Sequence, residues 1–392
     1  MVTDLRDGLR GGADDGVSGG VPGEVREEGL AARVLRELAG PARRDAARAE
    51  ELRRLTGEVA DGITAAGFPR HFVPRRWGGT AGGFGELVAG AAALAGSCAG
   101  AGWCAALYAA HGRLAAYLPE EGQRELWGAG PDPRISAAVV PPRGRAERRG
   151  GGWRLDGEWR LASGADHAEW ILLASWTQGP DGREHRIFAV PRGELTVLDT
   201  WHASGLRASG STSVAAAAVH VPDHRTLTLD ALLLPLPDAA RCHTVPYPMV
   251  AALLFAAPLL GVARTALREW TAGARRSADP HPAAHTVLTR ASARIHMAGL
   301  LLDGAAGRAD RGAITPVAVA ENRRDAATAA VLCREAVDAL FLAGGVGAQA
   351  PDSLLQRAWR DATAIAVHRT LDPDAAARGY AQTLLGTPDG AA

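Results

Sequence analysis

The chain has 392 residues, 43 Lys+Arg against 43 Asp+Glu, and 47% hydrophobic residues. That length exceeds what one compact core usually holds, so two or three sub-domains sharing one packed body are expected. With no basic excess, the electrostatic footprint of a nucleic-acid or anionic-membrane binder is missing.

Residues 1–24 are rich in Gly and Asp and poor in large apolar groups, and disorder is predicted there. From Glu27 to Ala66 the apolar residues Leu30, Val34, Leu38, Leu52, Leu55, Val59 and Ile63 recur at mostly three- and four-residue intervals, which marks amphipathic helix. Pro41 is expected to interrupt the first of these helices. A Pro- and Gly-broken loop follows, then one helix from near Glu86 to about His111, and another over Glu120 to Trp127.

The period then changes. Trp153 and Leu155, then Trp159 and Leu161, alternate with polar residues on either side of Asp156-Gly157, a pattern that predicts a hairpin. Strand-like runs follow at 169–175, 185–190, 195–198 and 213–221, at a spacing that suggests a compact β-barrel or sandwich. From Tyr247 the helical period returns, with candidate helices at 247–275, 282–309, 314–343, 353–370 and 373–385. Helices this long with short breaks pack as an antiparallel bundle.

The apolar runs 88–110 and 250–263 fit buried helices better than membrane spans. Cys98, Cys104, Cys242 and Cys333 form no CxxC pair and read as reduced core residues. No secretory signal is visible, and the expected compartment is the cytoplasm. Gly82-Gly83-Phe84-Gly85 follows no predicted strand and completes no dinucleotide fingerprint. His281 and His285, four residues apart, have no HExxH frame, so no metal site is expected. GxSxG is absent.

Three fragments carry more. Trp159–Trp170 reads WRLASGADHAEW, Asp199–Val214 reads DTWHASGLRASGSTSV, and Leu354–Arg369 reads LLQRAWRDATAIAVHR. In the last, Asp361 and His368 stand two helical turns apart, which would place them on nearly one helix face. In order and wording the fragments resemble the acyl-CoA dehydrogenase superfamily, in particular its branch of two-component flavin monooxygenases that hydroxylate aromatic rings. The similarity runs from about Leu30 to Gly386.

The resemblance implies an α+β, mainly α fold: an N-terminal helical domain (25–132), a central β-barrel (133–230) and a C-terminal four-helix bundle (231–392), assembled as a homotetramer or dimer of dimers. It places Ser163 beside the flavin N5 and His368 over the C4a side, both catalytic. It runs Arg207, Ser209 and Ser211 along the cofactor and brings His111 and Ser136 to a phenolic substrate, with His111 holding or deprotonating the phenol. It gives Arg275 and Arg276 to a flavin phosphate, and Gly345 and Gly347 to the same end across a subunit interface. A departure is Ala208-Ser209, where the usual form has Gly-Thr or Gly-Ser.

The implied function is the oxygenase component of a two-component flavin monooxygenase. A separate reductase would supply reduced FMN or FAD, and O2 would add to give a C4a-hydroperoxide that hydroxylates a phenolic or polycyclic aromatic substrate. Rival readings are an amine or amino-sugar N-oxygenase of the same fold, an acyl-CoA dehydrogenase, and a non-catalytic binding protein. The dehydrogenase needs a carboxylate base, and Leu371-Asp372-Pro373 after His368 does not supply the expected pattern.

Overall fold

The computed structural model describes residues 29–179, 182–237, 239–275 and 282–386. The segment expected to be disordered, residues 1–24, lies outside them, as do Arg276 and His281.

The first helix, α1 (Leu30–Arg33), passes through a π turn at Val34–Leu38 into α2 (Ala39–Leu52). Pro41 therefore does not end the helix. It sits in the first turn of α2, and the widened turn just before it absorbs the missing N–H. α3 (Gly57–Ala65) starts at Thr56, whose hydroxyl accepts from the Val59 amide at 3.4 Å.

The helix expected between residues 86 and 111 is two: α4 (Phe84–Ala95) and α5 (Ala99–Ala115), broken at Gly96 to Cys98. Close packing explains the break. The α5 backbone at Gly102 meets Ala95 so closely that a Cβ there would lie 2.5 Å from the Ala95 methyl. Every residue of α5 is buried. α6 (Glu120–Trp127) completes this part.

The middle of the chain forms two four-stranded sheets. The strands are β1 (Ile135–Ala138), β2 (Arg145–Arg149), β3 (Gly152–Ala162), β4 (Trp170–Gly179), β5 (Gly182–Pro191), β6 (Thr196–Leu198), β7 (Thr212–Pro222) and β8 (Thr226–Thr228). One sheet has the order β1-β4-β5-β8, with β1 and β4 parallel; the other has β2-β3-β7-β6. Trp153, Leu155, Trp159, Leu173, Phe188 and Val214 fill the space between them. The other face of the first sheet (Leu172, Ala174, Ile187, Ala189) packs on Leu114, Leu118 and Trp127, so this sheet is buried on both sides.

Asp156-Gly157 is not the hairpin turn. β3 runs straight through it as a bulge, with the register against β7 shifting between Leu155 and Gly157. Gly157 has φ +131°, and a Cβ there would meet the Gly144 Cα at 2.8 Å, so a glycine is required for close approach rather than for a turn. The turn joining β2 to β3 is at Gly150 and Gly151, both with positive φ.

The C-terminal part contains α7 (Arg241–Thr244), α8 (Tyr247–Arg275), α9 (Pro282–Arg311), α10 (Pro316–Ala343), α11 (Leu354–Ala366) and α12 (Pro373–Leu385). α8 is long and apolar enough to cross a membrane by length and composition, but 78% of its apolar window is buried inside the protein. Polar pins fix the bundle's register. The buried Asn322 amide donates to the Met249 and Ala305 carbonyls, and buried Asp325 accepts from Arg308 and Arg324.

Candidate active site

α5 organises the site. Its Trp103 Nε1 donates to the Ser163 hydroxyl at 3.0 Å, the Tyr108 hydroxyl donates to the Gly164 carbonyl at 2.8 Å, and His111 Nδ1 bonds the Ile135 carbonyl at 2.8 Å. Three side chains from one buried helix thus fix the end of β1 and the turn after β3. Gly164 carries φ +70° there, and a Cβ on it would strike the Tyr108 hydroxyl at 2.4 Å. Gly100, one turn before Trp103, lies against the Ala208–Ser209 peptide, where a Cβ would sit 2.8 Å from both residues.

The hydroxyls form a chain with one direction. Ser163 and Ser211 are 2.7 Å apart, Ser211 and Ser209 2.7 Å apart, and the Ser209 hydroxyl donates to the Leu206 carbonyl at 2.7 Å. A hydroxyl has one proton. With Ser209 donating to Leu206 it must accept from Ser211, which must accept from Ser163, which accepts from Trp103. Beneath it, buried Ser136 donates to the Ser163 carbonyl at 2.8 Å.

His368 does not share a helix face with Asp361. α11 ends at Ala366, and His368 follows in extended backbone as the cap of a short turn at Arg369–Leu371. Val367 at the helix end is 76% exposed, so the helix stops where it leaves the core. The His368 ring stacks on Phe255 of α8, centroids 3.9 Å apart, and meets Trp103 edge-on at 5.8 Å. His368 and Ser163 are thereby linked through one indole.

Burial sets the protonation of both histidines. Desolvation pushes His111 down to about 4, and desolvation with the nearby Arg369 does the same to His368. Both are neutral at pH 7, and their bonds fix opposite tautomers. His111 Nδ1 faces a carbonyl and must carry the proton, leaving Nε2 as an acceptor. His368 Nδ1 accepts from the Thr370 amide at 3.3 Å, leaving Nε2–H as a donor. Neither Nε2 has a hydrogen-bond partner among the described residues.

Other expected positions fall differently. Ser209 and Ser211 join the hydroxyl chain. Arg207 lies beside it, but its Nε donates to the Glu50 carbonyl at 3.2 Å, so it clamps the end of α2. Ser136 supports Ser163 from below, its own hydroxyl spent on that carbonyl. Arg275 is exposed at the far end of α8, about 30 Å along the axis from Phe255. Gly345 and Gly347 form an exposed turn before α11, at the opposite end of that helix from His368. Within one protomer these last three do not join the Ser163 cluster, and Arg276 lies outside the described residues. Trp103 and Phe255 went unnoticed in the sequence. The one available signal was a tryptophan in an Ala- and Gly-rich helix, two turns before His111.

The family described as acyl-CoA dehydrogenase, C-terminal domain, matches residues 253–373. The chain is 31% identical over 366 residues to the flavin-dependent monooxygenase, oxygenase subunit HsaA, of Rhodococcus jostii (strain RHA1), covering 86% of this chain and 94% of that protein. It is 32% identical over 394 residues to the FADH(2)-dependent resorcinol hydroxylase, oxygenase component, of Rhizobium sp. (strain MTP-10005), covering 90% and 94%. The crystal structure of 3-HSA hydroxylase from Rhodococcus sp. RHA1 superposes with a TM-score of 0.85 at 28% identity, covering 92% of this chain and 98% of that one.

Fold and site together define an acyl-CoA dehydrogenase-like oxidoreductase that works with a flavin. Within that class, the chain belongs to the flavin-dependent monooxygenases, as an oxygenase component that uses reduced flavin and O2. The name oxygenase subunit implies a separate partner component and a small-molecule substrate.

Proposed function

We propose that the protein hydroxylates a phenolic or polycyclic aromatic ring, with His111 as the group that receives the substrate hydroxyl and with Ser163 and His368 against the flavin. The observation that carries this reading is the opposite tautomers of the two neutral imidazoles. One leaves an acceptor and the other a donor uncommitted; the His368 ring meets Trp103, and His111 stands two turns further along the same helix α5.

The residues fit a flavin. With its proton given to Ser211 and one lone pair taken by Trp103, the Ser163 oxygen keeps a lone pair that would suit the N5–H of a reduced isoalloxazine, and His368 keeps an uncommitted N–H. The buried carboxylates among the described residues, Asp325 and Asp361, are committed to arginines and a backbone amide. When bound, reduced flavin supplies the two electrons with which O2 delivers one oxygen atom to the ring and one to water. The chain's part is to bind, orient and keep water out. Trp103 and Phe255 cover two sides of the His368 ring with aromatic carbon, which limits the water that can compete for its N–H. His111 Nε2 accepts the phenol O–H, raising electron density on the ring. The commitment of Asp361 also argues against a dehydrogenase, which needs a free carboxylate base.

The reductase supplies the flavin as FMN or FAD, FAD being favoured by the name of the resorcinol hydroxylase. The parts of the proposed assembly are a helical unit 25–132, a sheet unit 133–230 and a helical unit 231–392, in a cytoplasmic homotetramer or dimer of dimers. Supporting the oligomer, Leu342 and Val346 are 77% and 90% exposed around the Gly345–Gly347 turn, an apolar surface suited to a partner subunit. In such an assembly that turn and Arg275 can reach a flavin phosphate held by the neighbouring protomer.

The test uses a phenol and its methyl ether with reduced flavin and O2. The phenol should yield hydroxylated product and the ether mostly H2O2, with the difference lost in His111→Phe. Equal turnover of phenol and ether would remove His111 from the proposed role.

A further inference from the structure

Asp361 is a buried carboxyl, 5% exposed. Its Oδ1 accepts from the Leu206 amide at 2.7 Å. Leu206 has φ +50° and ψ +31°, a left-handed conformation that a side-chain-bearing residue keeps only when its surroundings hold it there. The hold is visible on both sides of the residue. The Arg360 guanidinium donates to the Ser204 carbonyl, and Gly205 touches the Arg360 carbonyl so closely that a Cβ would lie 2.1 Å from it. The Leu206 carbonyl accepts from Trp201 Nε1 at 3.0 Å and from Ser209 at 2.7 Å. That last bond is the one that gives the Ser209–Ser211–Ser163 chain its direction.

Asp361 lies on α11, the helix that ends two residues before His368. The segment 204–206 is therefore docked on the same helix that delivers the imidazole. We propose that Asp361 is a positioning residue for the oxygenation: by holding the Leu206 amide it fixes the direction of the hydroxyl chain at Ser163 and registers that chain against His368. The inference rests on the placement of Ser163 and His368 against the flavin.

The charge of Asp361 is not what the role requires. Burial, then Glu50, push its carboxyl up to about 7, against the opposing pull of the Leu206 amide, Arg360 and Arg357. Near neutral pH the group is only partly ionised, and its task is to accept one hydrogen bond. Asparagine can do that; alanine cannot. Glu50 of α2, with Arg357 and Arg360 of α11, forms its own ion pairs at 3.3 and 3.0 Å and would remain paired in either variant.

The experiment measures amide hydrogen exchange in the flavin-free protein and H2O2 released per flavin oxidised in the loaded one. Asp361→Ala should speed exchange of the 204–212 peptide about tenfold or more, as the loss of one buried hydrogen bond to a carboxylate allows, leaving the centre of α8 unchanged, and should raise H2O2 release. Asp361→Asn should restore both. Ser163→Ala combined with Asp361→Ala should release no more H2O2 than Ser163→Ala alone, because both act on one chain. Unchanged 204–212 exchange in Asp361→Ala, or failure of Asn to rescue, would overturn the proposal. If Asp361→Ala does not fold, Ser209→Ala tests the same chain from its other anchor, and normal coupling in that variant would overturn it. Exchange is read without flavin, so its result stands even if the assignment of Ser163 and His368 to the flavin fails.

Discussion

The imidazole of His368 lies on the ring of Phe255 with centroids 3.9 Å apart and planes 22° from parallel. The stack holds a loop residue that has no helix of its own to orient it. With Nδ1 held by the Thr370 amide, the flat face of Phe255 resists the turn of the ring about its Cβ–Cγ bond.

Removing that restraint has a defined cost. Phe255→Ala should leave the protein folded but destabilised by about 3 kcal/mol, the low end for a core aromatic cut back to alanine because Phe255 is only partly buried, and should raise H2O2 release. Phe255→Leu should keep most of the stability and still uncouple, because a leucine fills space without a flat face. Chemical denaturation and peroxide assay on the same preparations separate the two effects. Tight coupling in Phe255→Leu would show that the stack does not position His368.

Trp103→Phe removes the donor to Ser163 while keeping an aromatic ring beside both Phe255 and His368. The expected stability loss is about 1–3 kcal/mol for a buried hydroxyl deprived of its partner. The Ser163 oxygen then loses its fixed donor, while its proton still goes to Ser211. Peroxide release should rise less than in Ser163→Ala. A larger rise than in Ser163→Ala would mean that the indole acts in its own right.

The acid limb of stability follows from the histidines. His111, His243 and His368 are each pushed down to about 4 by burial. Unfolded histidine titrates near 6.5, so on acidification the unfolded state takes up these protons first. The stability they contribute is complete above pH 6.5 and is lost as pH falls from 6.5 toward 4. Each is worth about 3 kcal/mol at the bottom of that window. Asp361, pushed up to about 7, runs the opposite way, its neutral form favouring the fold as pH falls through the same window. Three groups outweigh one, so thermal midpoints should drop between pH 6.5 and 4.5. His243→Gln, which keeps a donor for the Phe72 carbonyl, should flatten the drop. A stability maximum near pH 4.5 would contradict these protonation states.

Gly157→Ala places a methyl group 2.8 Å from the Gly144 Cα on a backbone with φ +131°. The bulge has no room to move because Leu155 and Trp159, on either side of it, are both buried between the sheets. A loss of about 2 kcal/mol or more is expected, read as a lower denaturation midpoint. An alanine tolerated without loss would mean that the bulge can straighten.

Much of the fold is legible in the residues because periodicity reports burial. The helices of 247–275 and 373–385 stand where the apolar spacing places them, and the strands at 170–179 and 212–222 extend the predicted runs by a few residues. Two of the misses come from close backbone contact between distant segments. Asp156-Gly157 has turn chemistry, but its glycine answers to Gly144, and the α4–α5 break answers to Ala95 against Gly102. His368 leaves α11 because Val367 has reached the surface, a fact about the helix's surroundings rather than its own pattern. Of the residues gathered around Trp103, Ser163, Ser209, Ser211 and His368 stand in the three fragments quoted from the sequence, and His111 is an expectation of the resemblance. The direction of the hydroxyl chain could not be read there, since it depends on Trp103, Leu206 and Asp361 meeting from three parts of the sequence.

Oxygen transfer to an aromatic ring is the activity on which the roles of Ser163, His111 and His368 depend. The most direct measurement is a single turnover with anaerobically reduced FAD or FMN, a panel of phenols and 18O2, with products analysed by mass. The account predicts one 18O atom incorporated per molecule of hydroxylated phenol, with low peroxide release that rises in Ser163→Ala and His368→Ala. Complete conversion of the oxygen to H2O2 with every phenol and both flavins would contradict it.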